Sequence, residues 1–139
     1  MAEHASILVV DDEEILRNLL RDVLTLDGFD VETARSGEEA LSVMEARGID
    51  LVICDNNMPG MQGLDLLAEV RRNDTILPVI IMTAYGSIEV SMRAHDLGAS
   101  GYLLKPFDDI EVVAKEVRRA LDRADKERRL KGASGAPNT

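Results

Sequence analysis

Short apolar runs alternate along this chain with segments of helical spacing, and that alternation limits the folds open to it. Ile7 to Val10, Leu51 to Cys54, Val79 to Met82 and Tyr102 to Leu104 are continuous runs, as strands buried on both faces require. A fifth run, Val31 to Ala34, alternates instead, which predicts an edge strand. Between them, Ile15, Leu19, Val23 and Leu26, and later Leu64, Leu67 and Val70, return every three or four positions, the period of an amphipathic helix. Ser36 with Glu39, and Asp108 with Glu111, have capping-box spacing, while Gly28, Gly48 and Gly98 stand where helices should stop. Repeated strand-then-helix order implies parallel strands joined by right-handed crossovers. The expectation is a doubly wound α/β domain, one parallel sheet with helices on both faces.

A chain of 139 residues with 45% hydrophobic content is long enough and apolar enough for one domain with a proper core. Its formal net charge of -10 excludes a general affinity for nucleic acid or anionic membrane, since both would repel this surface. No apolar run approaches the roughly 20 residues that span a bilayer, and "MAEHASILVV" lacks a basic region followed by a signal-type segment, so a cytoplasmic protein is expected. The single cysteine, Cys54, cannot form an internal disulfide or a multi-cysteine metal site and reads as a small buried side chain. His4 and His95 read as ordinary solvent-facing histidines. In the last helix Ile110, Val113, Val117 and Leu121 form one apolar face, but "DRADKERRLK" from Asp122 has almost none, so its final turns are expected to leave the domain.

Ligands of an open parallel sheet bind beyond the carboxyl ends of its strands. Asp11 and Asp12 follow the first run, Asp55 the third in sequence, Thr83 the fourth and Lys105 the last. Three carboxylates, a hydroxyl and an ammonium therefore converge on one edge. Carboxylates so close repel unless a proton or a cation is shared among them, and a hard divalent ion such as magnesium takes oxygen ligands of this kind and bridges to phosphate. A carboxylate in that setting can also act as a nucleophile and form an acyl phosphate, with the lysine and the metal neutralising phosphoryl oxygens. Thr83 would supply a hydroxyl donor to the product.

The stretches "ILVVDDEE", "DLVICDNNMPGMQGLDLL", "PVIIMTAYG" and "GASGYLLKPF" together resemble the receiver domains of bacterial two-component response regulators. The resemblance implies a five-stranded flavodoxin-like sheet of order 2-1-3-4-5 over residues 6–121; by composition, an N-terminal tail precedes it (1–5), an extension of the last helix follows (122–131), and the small, polar end is a flexible tail or linker (132–139). It also implies that Asp55 accepts phosphate from a histidine kinase or phosphotransfer protein. Asp12 and Asp55 would bind Mg2+, with Mn2+ as the alternative, Asp11 assisting through water and the backbone carbonyl of Asn57 completing the protein ligands. Lys105 would pair with the phosphate, Pro106 would carry a cis bond, and Thr83 and Tyr102 would form the switch. The surface that changes would comprise the helix beginning near Ser87, the strand at Tyr102 and the last helix, through which a homodimer could form.

Asn57 and Tyr85 flank the path of a water attacking the acyl phosphate in line, and the bulk of Tyr85 predicts a long-lived phosphate. Ala84 is small and leaves the acceptor open to a kinase. The competing reading is a magnesium-dependent aspartyl-phosphate phosphohydrolase acting on small molecules, but such enzymes pair the nucleophile with a second acid where this chain has Asn57, and their substrate cap has no counterpart in its short loops. On the receiver reading the chain is not an enzyme and catalyses only its own phosphorylation and dephosphorylation. "TAYGSIEV" and the extended last helix are similar to receivers joined to ATP-dependent enhancer-binding transcription activators, although receivers with other outputs, or with none, carry similar stretches.

Overall fold

The computed structural model describes residues 4–84, 86–105, 107 and 109–135, with 132–135 described by backbone alone. The elements alternate as β1 (Ser6–Val10), α1 (Glu14–Leu26), β2 (Asp30–Ala34), α2 (Gly37–Ala46), β3 (Leu51–Asp55), α3 (Gly63–Asn73), β4 (Val79–Thr83), α4 (Ile88–Asp96), β5 (Gly101–Leu104) and α5 (Glu111–Gly135). All pairings are parallel and the order is β2-β1-β3-β4-β5. The expected sheet is therefore present, and β2 lies at an edge as its alternation predicts. The strand order reverses at β1, so the crevice beyond its carboxyl end opens between β1 and β3.

Every residue of β3 and β4 is buried, which explains why their sequences are continuous apolar runs. One face of the sheet packs Ile7, Val9, Ile53 and Ile80 against Leu20 and Leu24 of α1 and Val113 and Val117 of α5. The other packs Leu8, Val52 and Ile81 against Leu64, Leu67 and Val70 of α3 and Ala94 of α4. Truncating a fully buried leucine such as Leu20 in this arrangement costs about 3 kcal/mol.

Helix boundaries follow from local chemistry. Ser36 Oγ accepts from Glu39 N at 3.0 Å, while Glu39 Oε1 accepts from Arg35 N at 2.7 Å, one residue before the position that a capping box predicts. Ser87 Oγ accepts from Val90 N at 3.1 Å and starts α4. α1 stops because Gly28 takes a φ of +99°, open to glycine without strain. Asp108 lies outside the described residues; beside it, Asp109 Oδ1 accepts from Glu111 N at 3.0 Å at the start of α5.

Three expectations need correction. The stripe Ile15, Leu19 and Leu26 faces solvent, with Ile15 86% exposed, and the core face of α1 is Leu20 and Leu24. α1 carries two parallel stripes of helical period, and periodicity cannot choose between them. β5 is an edge strand in which only Leu103 is buried, because no strand among the described residues pairs beyond it. Finally, α5 keeps contact with the core past Asp122: Ala124 is 3% exposed, and only from 126 to 131 is every residue exposed, with Lys131 Nζ 3.4 Å from Thr75 Oγ1.

Candidate functional site

The β1/β3 crevice collects the acidic residues. Asp11 is fully buried, and its backbone N–H donates to Ala34 O at 3.1 Å, which ties it to the end of the edge strand β2. Its Oδ1 accepts from Glu13 N at 2.9 Å and its Oδ2 from Lys105 Nζ at 3.1 Å. Asp12 is exposed, and Asp55, the last residue of β3, is buried. Ligand oxygens of Asp11, Asp12 and Asp55 lie within 4.8 Å of one another.

Lys105 follows β5, and its N–H donates to Thr83 O at 2.9 Å, so the sheet ladder itself delivers the ammonium to the crevice. Lys105 Nζ sits 3.3 Å from Asp55 Oδ1 and 3.6 Å from Glu13 Oε1. The contact with Asp55 is an ion pair by distance, whereas the aligned hydrogen bond goes to Asp11. Asp55 Oδ1 is thus a buried oxygen with no hydrogen-bond partner among the described residues.

Electrostatics agree with that geometry. Burial pushes the Asp55 carboxyl above the usual aspartate range and the charge of Asp11 adds to it, against the opposing pull of Lys105. Burial likewise raises Asp11, with the Glu13 N–H and Lys105 opposing. Burial alone would lower Lys105, but the two carboxylates outweigh it and the ammonium is held above its ordinary value. A cluster of two buried acids, one of whose oxygens has only an ion pair and no hydrogen bond, with an exposed third acid is an all-oxygen donor set, which fits a hard divalent cation.

Thr83, the fully buried last residue of β4, donates from Oγ1 to Asn57 Oδ1 at 2.5 Å. Tyr102 packs its ring with the cluster on the α3/α4 face, and its hydroxyl is buried beside Gly86 without a hydrogen-bond partner among the described residues. Desolvation raises the Tyr102 hydroxyl above the usual tyrosine range. Ala84 is exposed. Tyr85 and Pro106 lie outside the described residues. His95 faces solvent, 3.7 Å from Asp96.

Four contributing residues escape sequence reasoning. Glu13 reads as a solvated helix start in "DDEE", yet it is the N-cap residue of α1 and its carboxylate, instead of capping the helix, reaches Lys105. Arg17 Nη1 donates to Asp11 O at 2.8 Å, a contact with no local signal in the sequence. Asn56 is buried; its N–H donates to Met82 O at 2.7 Å and its Oδ1 accepts from Leu64 N at 3.1 Å, joining the loop after Asp55 to the start of α3. Gly63 lets that helix approach, since a Cβ there would stand 2.8 Å from Asp55 O. The amide at position 56 and the glycine opening α3 were the available signals.

Residues 7–117 match the family model of the response regulator receiver domain. Among curated proteins, the response regulator protein FleR of Pseudomonas aeruginosa is 41% identical over 117 residues, covering 84% of this chain and 25% of FleR. The transcriptional regulatory protein CpxR of Klebsiella pneumoniae is 42% identical over 118 residues, covering 85% of this chain and 50% of CpxR. The chain thus spans a quarter to a half of the length of these relatives. Among solved structures, NtrX from Brucella abortus in complex with ADP superposes with a TM-score of 0.88 at 32% identity, covering 96% of this chain and 30% of NtrX. The chemotaxis protein CheY4 of Vibrio cholerae gives a TM-score of 0.79 at 34% identity, over 84% of this chain and 98% of CheY4.

Proposed function

This chain belongs to the response regulator receiver domain family of two-component systems, and on that premise we propose that it is a phosphorylation switch whose acceptor is Asp55. The observation that carries the proposal is the grouping of Asp11, Asp12, Asp55 and Lys105 in one crevice, with the ammonium between the two buried acids. In the transfer step a carboxylate oxygen of Asp55 attacks the phosphorus of a phosphohistidine. The P–N bond breaks, its electron pair stays with the leaving imidazole, which takes up a proton, and an acyl phosphate forms on Asp55. Lys105 stands close enough to neutralise a phosphoryl oxygen, and its raised pKa keeps it charged at neutral pH.

Asp11, Asp12 and Asp55, with the backbone carbonyl of Asn57, would hold Mg2+ or Mn2+, which when bound supplies further positive charge to the phosphoryl oxygens. A solved relative, TrrA from Thermotoga maritima, is described in complex with Mg(2+)-BeF, in keeping with this donor set. Thr83 and Tyr102 would read the phosphoryl group: its new oxygens compete for the Thr83 hydroxyl, and the ring of Tyr102 repacks as Thr83 moves. Tyr85 and Asn57 would set how long the acyl phosphate lasts.

The phosphodonor would approach over the exposed stripe of α1. Ile15 and Leu19 form an apolar groove with Phe107 and Ile110, and Glu13 and Lys105 belong to its wall, so a helix of the donor covering this groove would stand next to Asp55. The output would be a domain following residue 139 or a separate target, and the chain would act in the cytoplasm. Acetyl phosphate with Mg2+ tests the proposal: one phosphoryl group per chain, lost in Asp55→Ala, is expected, whereas many turnovers on phosphate esters would establish a phosphohydrolase instead.

A further inference from the structure

We infer that the side chain of Asn57 is a positioning residue that holds Thr83 in its resting orientation, so that a phosphoryl group on Asp55 must win Thr83 away from it. The carrying observation is the hydrogen bond from Thr83 Oγ1 to Asn57 Oδ1 at 2.5 Å, joining the loop after β3 to the end of β4. The backbone on both sides of that bond is fixed. Thr83 is fully buried, its carbonyl accepts from Lys105 N at 2.9 Å, and Asn56 N donates to Met82 O at 2.7 Å. What can move is the rotation of the Thr83 side chain among its staggered positions and the exposed amide of Asn57.

A threonine hydroxyl carries a single proton. While that proton is given to Asn57 it cannot be given to a phosphoryl oxygen on Asp55, so the two acceptors compete. The phosphoryl oxygen is charged and the amide oxygen is neutral, and charge-assisted hydrogen bonds are the stronger. Losing the competition costs Asn57 little, because its exposed amide returns to water. The amide therefore biases the resting state without blocking the switched one. This role belongs to the side chain and is separate from that of the Asn57 backbone carbonyl, which any substitution leaves in place.

The inference rests on Asp55 being the acceptor, and a double-mutant cycle keeps the two apart. The full chain is titrated with beryllofluoride and Mg2+, a phosphoryl mimic, and binding is followed by amide NMR shifts. Asn57→Ala is expected to bind about threefold tighter than the wild type, the scale of one modest hydrogen bond. That gain should vanish in a Thr83→Val background, which has no hydroxyl to hold, and persist in Thr83→Ser, which keeps one. An equal gain in the valine background, or no gain in the wild-type background, overturns the role of Asn57 while wild-type binding leaves the acceptor reading intact. Binding that survives Asp55→Ala overturns the acceptor reading, and this inference with it.

Discussion

At the residue scale, Lys105 is 10% exposed at its side chain and is held between acids that are themselves buried. Removing it leaves Asp11 and Asp55 facing each other without a cation. In metal-free buffer Lys105→Met is expected to cost about 2 kcal/mol of stability, less than the loss usual for a broken buried pair because a carboxyl can take up a proton. The pH dependence has a definite sign. Asp11 and Asp55 have folded pKa values above those of the unfolded chain, so the folded state binds more protons there, and stability falls as pH rises from the ordinary aspartate range through the raised values. Lys105, also raised, contributes stability that is fully present below the ordinary lysine range and is lost as pH rises through its own higher value. The deficit of Lys105→Met should therefore shrink on mild acidification, as urea unfolding at several pH values will show. Mg2+ should shift the acidic slope downward in pH, since binding favours the ionised carboxylates.

At the scale of elements, the two ends of the sheet do different work. The carboxyl ends carry the acids, Thr83 and Lys105, whereas the opposite end is closed by Arg71 of α3. Its Nε and Nη2 donate to Gly98 O at 3.0 and 2.8 Å, and its Nη1 donates to Asp74 O and Leu77 O at 3.0 and 2.7 Å. Burial lowers the Arg71 pKa against the charges of Asp74 and Glu127, the second of which belongs to α5. One side chain thus ties α3 to the loops before β4 and β5. Arg71→Ala is expected to lose about 2 kcal/mol of stability, read as a lower denaturant midpoint at unchanged slope. Phosphoacceptance at saturating donor should be unaffected, and a parallel loss of it would mean that the two ends are coupled. The later turns of α5 belong to the same end, where Arg118 pairs with Asp27 of the α1 cap and Ala124 is buried.

Over the whole molecule, what the sequence made legible was whatever is decided by burial on both faces or by position at a strand end. β1, β3 and β4 could be read because flanking helices cover both faces, and Asp11, Asp55, Thr83 and Lys105 because each ends or follows a strand. β5 misled because an apolar run does not reveal whether another strand lies beyond it. In α1 two stripes share one period, and the sheet, not the helix, selects Leu20 and Leu24 over Ile15 and Leu19. The burial of Ala124 depends on where the far end of α5 crosses the loop at Thr75, a tertiary fact with no local trace. The same holds for Arg17 on Asp11 and Asn57 on Thr83, whose partners are chosen by the fold.

The loops at the carboxyl ends thus assemble acids, an ammonium and a hydroxyl that no single segment contains, and the function proposed for them stands on one covalent event. Borohydride reduces an acyl phosphate on an aspartate to homoserine, which peptide mass spectrometry locates by position. After incubation with acetyl phosphate and Mg2+, the expected result is homoserine at position 55 and nowhere else, abolished by Asp55→Ala. Homoserine at position 11 or 12 instead, or a label that survives Asp55→Ala, would contradict the assignment of Asp55 as the acceptor.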